Sequence, residues 1–308
     1  MRRSVHTIVG ALVASSLIST GCVDRIVAGQ TIALLDRSAA AIEQESDPDL
    51  AFAAAAAGIK QLEGFYVAYG GDRRMLPVLA RATCGYAAGY LQDRWEAATL
   101  DGDRAAAATW GHEARQLLGR CAAYALRGLA PGFAALIDGD DAAAARALAG
   151  ARAADAPLLY WLGTALAVAI GIAPDDLALA AMLPRATAIL TRVVELDDGI
   201  DHGGGHVTLG ILLAAQSAAV GGDPERGRAH LERAVALTDG RGLLAPVMTA
   251  RIYAVTTRDR ALFERLLREV LATSPAVWPE QRLANELAQR RARRYLQHRR
   301  RWFPDAAR

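Results

Sequence analysis

The chain has 308 residues, with 35 Lys and Arg against 33 Asp and Glu, a formal net charge of +2. That balance carries no basic excess of the kind that nucleic-acid binding requires, and the length allows one large core or two smaller ones. Lys60 is the one lysine, an Arg-for-Lys bias with an abundance of Ala that reflects base composition more than function. Ala, Leu, Arg and Glu are strong helix formers, and no stretch alternates apolar and polar residues with the period of a strand, so an all-α fold is expected.

The first segment belongs outside the fold. Arg2 and Arg3 precede an apolar run, Ile8 to Ile18, too short to span a bilayer, which is the layout of an export signal. Ser19-Thr20-Gly21-Cys22 follows. A small residue before cysteine at this spacing resembles the bacterial lipobox, where cleavage precedes a cysteine whose thiol is acylated. Residues 1–21 are therefore expected to leave as a lipoprotein signal peptide, and Cys22 to tether the mature chain, residues 22–308, to the cell envelope. Ser19 stands where lipoboxes usually carry Leu, Val or Ile; an ordinary exported protein with an incidental Cys22 is the alternative. Cleavage removes two positive charges and leaves the mature chain near neutral. Cys84 and Cys121 are then open to two readings, a disulfide in an oxidising compartment or two buried thiols on separate helices.

In chain order, the spacing predicts a first helix over 26–42. Asp47-Pro48 opens the next, since Asp caps the first turn and Pro tolerates its first position; it is expected to end near Gly64. Helices over 75–91 and 103–129 follow, with Pro131-Gly132 breaking the second, and a short Ala-rich helix opens at Asp140-Asp141. Leu158 to Ile172 is uncharged and bounded by Pro157 and Pro174. It falls short of a membrane span and reads as a buried core helix. Ala186, Ile189, Leu190, Val193 and Val194 then recur with helical period on one face. A second uncharged run, His206 to Gly222, leads to Asp223-Pro224 and another one-faced helix with Gly227, Leu231, Ala234 and Val235. Helices over 243–255 and 259–271 come next, and a final Arg-rich helix covers about 280–302. Its arginines are spaced all round the helix, so they read as a solvated face or as a surface for anionic lipid or an acidic partner. No linker divides the mature chain, which is read as a single all-helical domain with a basic C-terminal helix.

Buried helix, connection and half-buried helix thus occur twice in the middle of the chain, each pair burying a face the other cannot cover alone. Leu209-Gly210 with Gly227, Leu231 and Ala234, and Leu162-Gly163 with Ala186, Leu190 and Val193, resemble the tetratricopeptide repeat, as does Ala250 with Leu262, Leu266 and Pro275. The expected architecture is a tetratricopeptide-like helix-hairpin superhelical bundle.

Signals for catalysis, metal or cofactor are lacking. His202 and His206 lie four apart in Asp-His-Gly-Gly-Gly-His, but no glutamate follows the first histidine, glycines oppose a helix between them, and no third ligand is nearby. Both histidines are expected to be exposed. The same glycines are not followed by the Lys-Ser/Thr of a phosphate loop, and Asp140-Asp141 and Asp197-Asp198 fall at helix ends, where caps and turns use Asp. No nucleophile elbow is present. No enzyme, no cofactor and no metal are expected.

Several segments taken in order resemble a narrower family, the T component of tripartite ATP-independent periplasmic (TRAP) transporters. They are Leu159-Tyr160-Trp161, Leu183-Pro184 leading into Ala186 to Val193, Gly221-Gly222-Asp223 with His230 to Ala234, Arg260 to Leu267, Leu283-Ala284-Asn285 and Ala288 to Ala292, with Asp47 to Tyr90 upstream. The terminal helix is more basic than the family pattern. The resemblance implies a periplasmic, membrane-tethered lipoprotein, inner or outer membrane left open. It implies binding to the transporter's periplasmic solute-binding protein, a homo-oligomeric state, and a pore through each subunit suited to a hydrophobic small molecule. Tyr160, Trp161, Tyr66 and Tyr69 are candidate pore-lining residues, with core packing as the alternative for all of them. The competing function is a tetratricopeptide-type scaffold lipoprotein for envelope or outer-membrane assembly, which would need an open groove but no internal channel.

Overall fold

The computed structural model describes residues 29–215 and 222–304, so Cys22 and the export signal lie outside the described residues. Among the described residues the regular elements are all helical. Helix α1 runs over 29–38 and ends in the turn Ala40–Glu43. Asp47 then accepts from the amides of Asp49 and Leu50 to cap α2 (Pro48–Ala68), with Pro48 at the first turn. Helix α3 begins at Leu76–Tyr86 and passes through a π-turn, Ala87–Leu91, into Gln92–Asp101, well past the stop expected near Leu91. Nothing in Gln92-Asp93-Arg94 breaks a helix; the stop comes at Gly102, whose left-handed φ of 82° only glycine adopts without strain.

Asp103 caps α4 (Arg104–Gly128) and Asp140 caps α5 (Asp141–Ala149). The uncharged run becomes α6 (Ala156–Ile172), followed by α7 (Leu183–Leu196), α8 (Ile200–Ala214) and α9 (Pro224–Leu237), the last capped by Asp223. Helix α10 is Leu244–Met248 with a π-turn at Thr249–Ala254, α11 is Arg260–Ala272 capped by Asp259, and α12 is Arg282–Gln297.

Consecutive long helices pack antiparallel. Cys84 of α3 is disulfide-bonded to Cys121 of α4, with Cα atoms 5.5 Å apart, and Trp95 further along α3 meets Gly111 earlier in α4. This settles the open cysteine reading in favour of the bridge. The same glycines of α4 also meet α6: Gly128 faces Leu158 and Gly111 faces Ile172, so α6 runs back along α4 beside α3. The Leu-Gly pairs mark where the next helices touch. A Cβ on Gly163 would lie 2.8 Å from Leu190 of α7. One on Gly227 of α9 would lie 2.7 Å from the carbonyl oxygen of Gly210 of α8, so these two backbones meet directly. Helix α6 is the centre of the first core: Leu159 and Leu162 are fully buried among Leu118, Ala125, Ile189 and Leu190. Each such leucine contributes about 1.5–3 kcal/mol, which accounts for an uncharged helix sitting inside protein. A second core, around Leu231, Phe263, Leu267 and Tyr295, holds α9 to α12 together.

Helix α12 brings the end of the chain back to its beginning. Arg294 pairs with Asp93 at 2.7 Å and with Glu96 at 3.3 Å. Arg290 and Arg291 approach Asp93 at 3.7 Å, and the Tyr295 hydroxyl donates to Glu96 at 2.7 Å. Further on, Arg301 donates to the carbonyls of Thr99 and Leu100, where α3 ends. The Arg-rich helix was expected to face water, lipid or an acidic partner. Its inner face instead meets acids of its own chain, because α3 runs on far enough to present Asp93 and Glu96. Asp93 is only 1% exposed, so this closure rests on a buried ion cluster.

Candidate functional site

Closure by α12 leaves a cavity of about 340 Å³ between α1, α2, α3 and α12, partly open to solvent, within the ~300–1,000 Å³ usual for small-molecule sites. Its wall is mostly apolar. Phe52, Ile59 and Leu62 come from α2, Val78, Ala82 and Tyr86 from α3, and Leu283, Ala284 and Leu287 from α12. Tyr90 backs the aromatic part, its ring 4.5 Å from Phe52 and 5.3 Å from Tyr86. Three glycines inside helices stand on this wall, and at one of them, Gly89, a Cβ would meet the Phe52 ring at 3.6 Å. Gly58 of α2 and Gly85 of α3 both line the cavity, and a Cβ on either would meet nothing within 4 Å. Glycine in a helix interior costs about 0.5–1 kcal/mol relative to alanine. At these two positions no packing constraint excludes a side chain, and the lack of one leaves the cavity wider there.

The rim carries an ion cluster. Arg81 pairs with Asp36 at 3.3 Å and with Glu43, and the Gln281 amide donates to Glu43 at 3.4 Å. A second polar group enters from the start of α8. Asp201, a lining residue, has φ 48° and ψ 48°, and His202 follows at φ 55° and Gly203 at φ 84°. Two successive non-glycine residues in the left-handed region cost on the order of 1–3 kcal/mol each. The Tyr160 hydroxyl donates to Asp201 Oδ2 at 2.7 Å, and a Cβ on Gly204 would lie 2.5 Å from that hydroxyl. Glycine at 204 therefore makes space for the bond. Burial, then the Asp201 charge, pushes the Tyr160 phenol well above its ordinary range.

Of the four residues expected at a pore, Trp161 lies on the cavity wall. Tyr160 is buried behind it, its ring 4.6 Å from the Trp161 ring. Tyr66 and Tyr69 belong to the apolar cluster around Met75 and Leu79, which shares Leu62 and Val78 with the cavity wall, but they are not themselves among the lining residues. Phe52, Tyr86, Gly58, Gly85 and Asp201 went unrecognised in the sequence. Glycines inside otherwise strong helix-forming segments were the available signal for two of them.

The histidines separate. His202 is exposed and sets its ring edge against Trp278, with centroids 5.0 Å apart. His206 was expected to be exposed and is instead 6% exposed. It lies just past the left-handed turn 201–203, on the face of α8 that α9 covers. Its Nδ1 is 2.8 Å from Nδ1 of His230 and its Nε2 is 3.0 Å from Asp198 Oδ1. Asp198 also pairs with Arg233, which with His206 lowers its carboxyl to about 2. Burial, then His206 and Arg226, lowers the His230 imidazole. Among the described residues no group of three or more His, Cys, Asp or Glu is placed to hold a metal. A second concavity, about 940 Å³, is a broader groove bounded by α5, α7, α8 and α9 that includes Leu148, Leu183, Thr187, Arg192 and Arg226. It lacks the aromatic wall and the closure by both chain ends.

A family model described as TRAP transporter T-component matches residues 44–303, which takes in α2 through α12. An uncharacterized protein of Treponema pallidum (strain Nichols) is 28% identical over 196 residues, 62% of this chain and 61% of that relative's length. The chain thus spans less than two thirds of the relative it matches.

Proposed function

This chain belongs to the TRAP transporter T-component family, and we propose that it serves such a system by docking the periplasmic solute-binding subunit while its cavity holds a hydrophobic small molecule. An accessory role in TRAP transport, and with it an envelope location, follows from the family. The observation that carries the finer reading is the pair Gly58 and Gly85, mid-helix glycines that line an apolar cavity with nothing against them. Gly58 is half-buried and Gly85 exposed, and alanine at either would add helix stability without meeting a neighbour, so stability alone does not account for glycine there.

Residues 1–21 act as the signal peptide, and Cys22 carries the lipid anchor of a periplasmic protein. The buried Cys84–Cys121 bridge supports an oxidising compartment. Trp161 and the aromatic wall around it contact the ligand; Tyr160 holds Asp201 in place. The chain works as a homo-oligomeric binding component and not as an enzyme. The scaffold alternative asks only for an open groove and leaves the glycine-lined cavity without a use.

The test is in-envelope cross-linking of the tagged mature chain, followed by mass spectrometry. A TRAP solute-binding protein as the main cross-linked partner supports the proposal. Outer-membrane assembly proteins without that partner would move the function to scaffolding.

A further inference from the structure

Resting on the proposed cavity function, the charge of the wall narrows the ligand. Among the described residues, Asp36, Glu43 and Asp201 face the cavity against one cation, Arg81. That guanidinium is already engaged by Asp36 and Glu43. Asp201 makes no ion pair among the described residues. Tyr160 occupies its Oδ2 by donation, and its Oδ1 has no protein donor there. Such a carboxylate repels an anionic headgroup and attracts a cationic one; Asp201 is itself exposed at the cavity, so both effects are those of a water-screened charge. The aromatic part of the wall, Phe52, Tyr86 and Trp161, adds ring faces of the kind that attract organic cations. The chain maintains Asp201 in this place at a cost in backbone strain, with Gly203 and Gly204 clearing the space that the turn and the Tyr160 bond need.

We infer that the ligand is an apolar molecule bearing an amine or quaternary ammonium group, and that Asp201 is the residue that recognises the cation. A carboxylate-headed ligand of the same apolar body is disfavoured by the same wall.

The experiment uses three probes with one alkyl chain, n-octylammonium, n-octanol and octanoate, each below its aggregation range. Binding to the full mature protein is followed by calorimetry and Trp fluorescence at pH 7.5. The expected order is octylammonium, then octanol, then octanoate, with about tenfold between the first two, the size of one good charge-assisted contact, about 1.4 kcal/mol. Asp201→Asn should erase the ammonium preference and leave octanol affinity unchanged. Asn adopts the left-handed region readily and its carbonyl still accepts from Tyr160, so this variant keeps the fold. Equal binding of the three probes, tighter octanoate, or a preference that survives Asp201→Asn would overturn the inference while leaving a ligand cavity in place. Failure of all three probes to bind would remove the cavity reading on which it rests.

Discussion

Gly58 and Gly85 offer a test in which stability and function should move in opposite directions. Each lies inside a helix, each lines the cavity, and an added methyl meets no neighbour within 4 Å. Replacing each with alanine removes the helix-propensity penalty of about 1 kcal/mol per site without a clash. The sites are on different helices, so the gains should add to about 2 kcal/mol. For a chain of this size that raises Tm by roughly 3 °C. Circular dichroism melts of the single and double variants measure it. Gly85→Phe goes further and puts a ring into the cavity. It should fold, and it should lose apolar ligand. Lower melting temperatures for the alanine variants would refute the reasoning, because they would show that the space beside these glycines is occupied in the folded protein.

Three more outcomes follow from the same structure. The Cys84–Cys121 bridge closes a loop with a sequence separation of 37, which in the chain-entropy account contributes about 4 kcal/mol. The Cys84→Ser, Cys121→Ser double variant should show that loss in urea unfolding, and reductant should then have no further effect on it. Arg294→Met leaves buried Asp93 with only the longer contacts from Arg290 and Arg291, a loss of about 3 kcal/mol; adding Asp93→Asn should recover part of it in denaturant titrations. For the histidine pair, the folded imidazole of His230 lies below its unfolded value, so its stabilisation is complete above about pH 6.5 and is lost as pH falls through the folded pKa. A proton on His230 places a positive charge beside Arg226, with the Asp198 carboxylate on the far side of His206 opposing it. Melting temperature should drop between pH 7.5 and 5, and His230→Asn should flatten that profile.

Helices were legible because local rules decide them. Asp47-Pro48, Asp140, Asp223 and Asp259 cap where expected, and the period of Ile189, Leu190 and Val193 gave the buried face of α7. Leu162-Gly163 and Leu209-Gly210 stand out in the sequence only as repeat-like spacing; that the backbones of α8 and α9 meet at Gly210 and Gly227 comes from the structure. Closure was not legible. It depends on Asp93 and Glu96 meeting arginines some 200 positions later, a pairing with no local signature. Expecting α3 to stop near Leu91 hid both acids. His206 was misjudged for a related reason: three glycines near it suggested an open turn, whereas Gly203 turns the chain so that α9 can cover the histidine. Trp161 stands on the cavity wall and Tyr66 and Tyr69 do not, because sequence marks aromatic residues without telling which side of a curved layer they face.

The most direct test of the cavity is binding of an uncharged apolar dye, N-phenyl-1-naphthylamine, to the wild-type protein and to Gly85→Phe. A saturable site in the wild type that is lost in the variant, with the fold intact by circular dichroism, is the predicted result. Equal binding by both proteins, or none by the wild type, would contradict it.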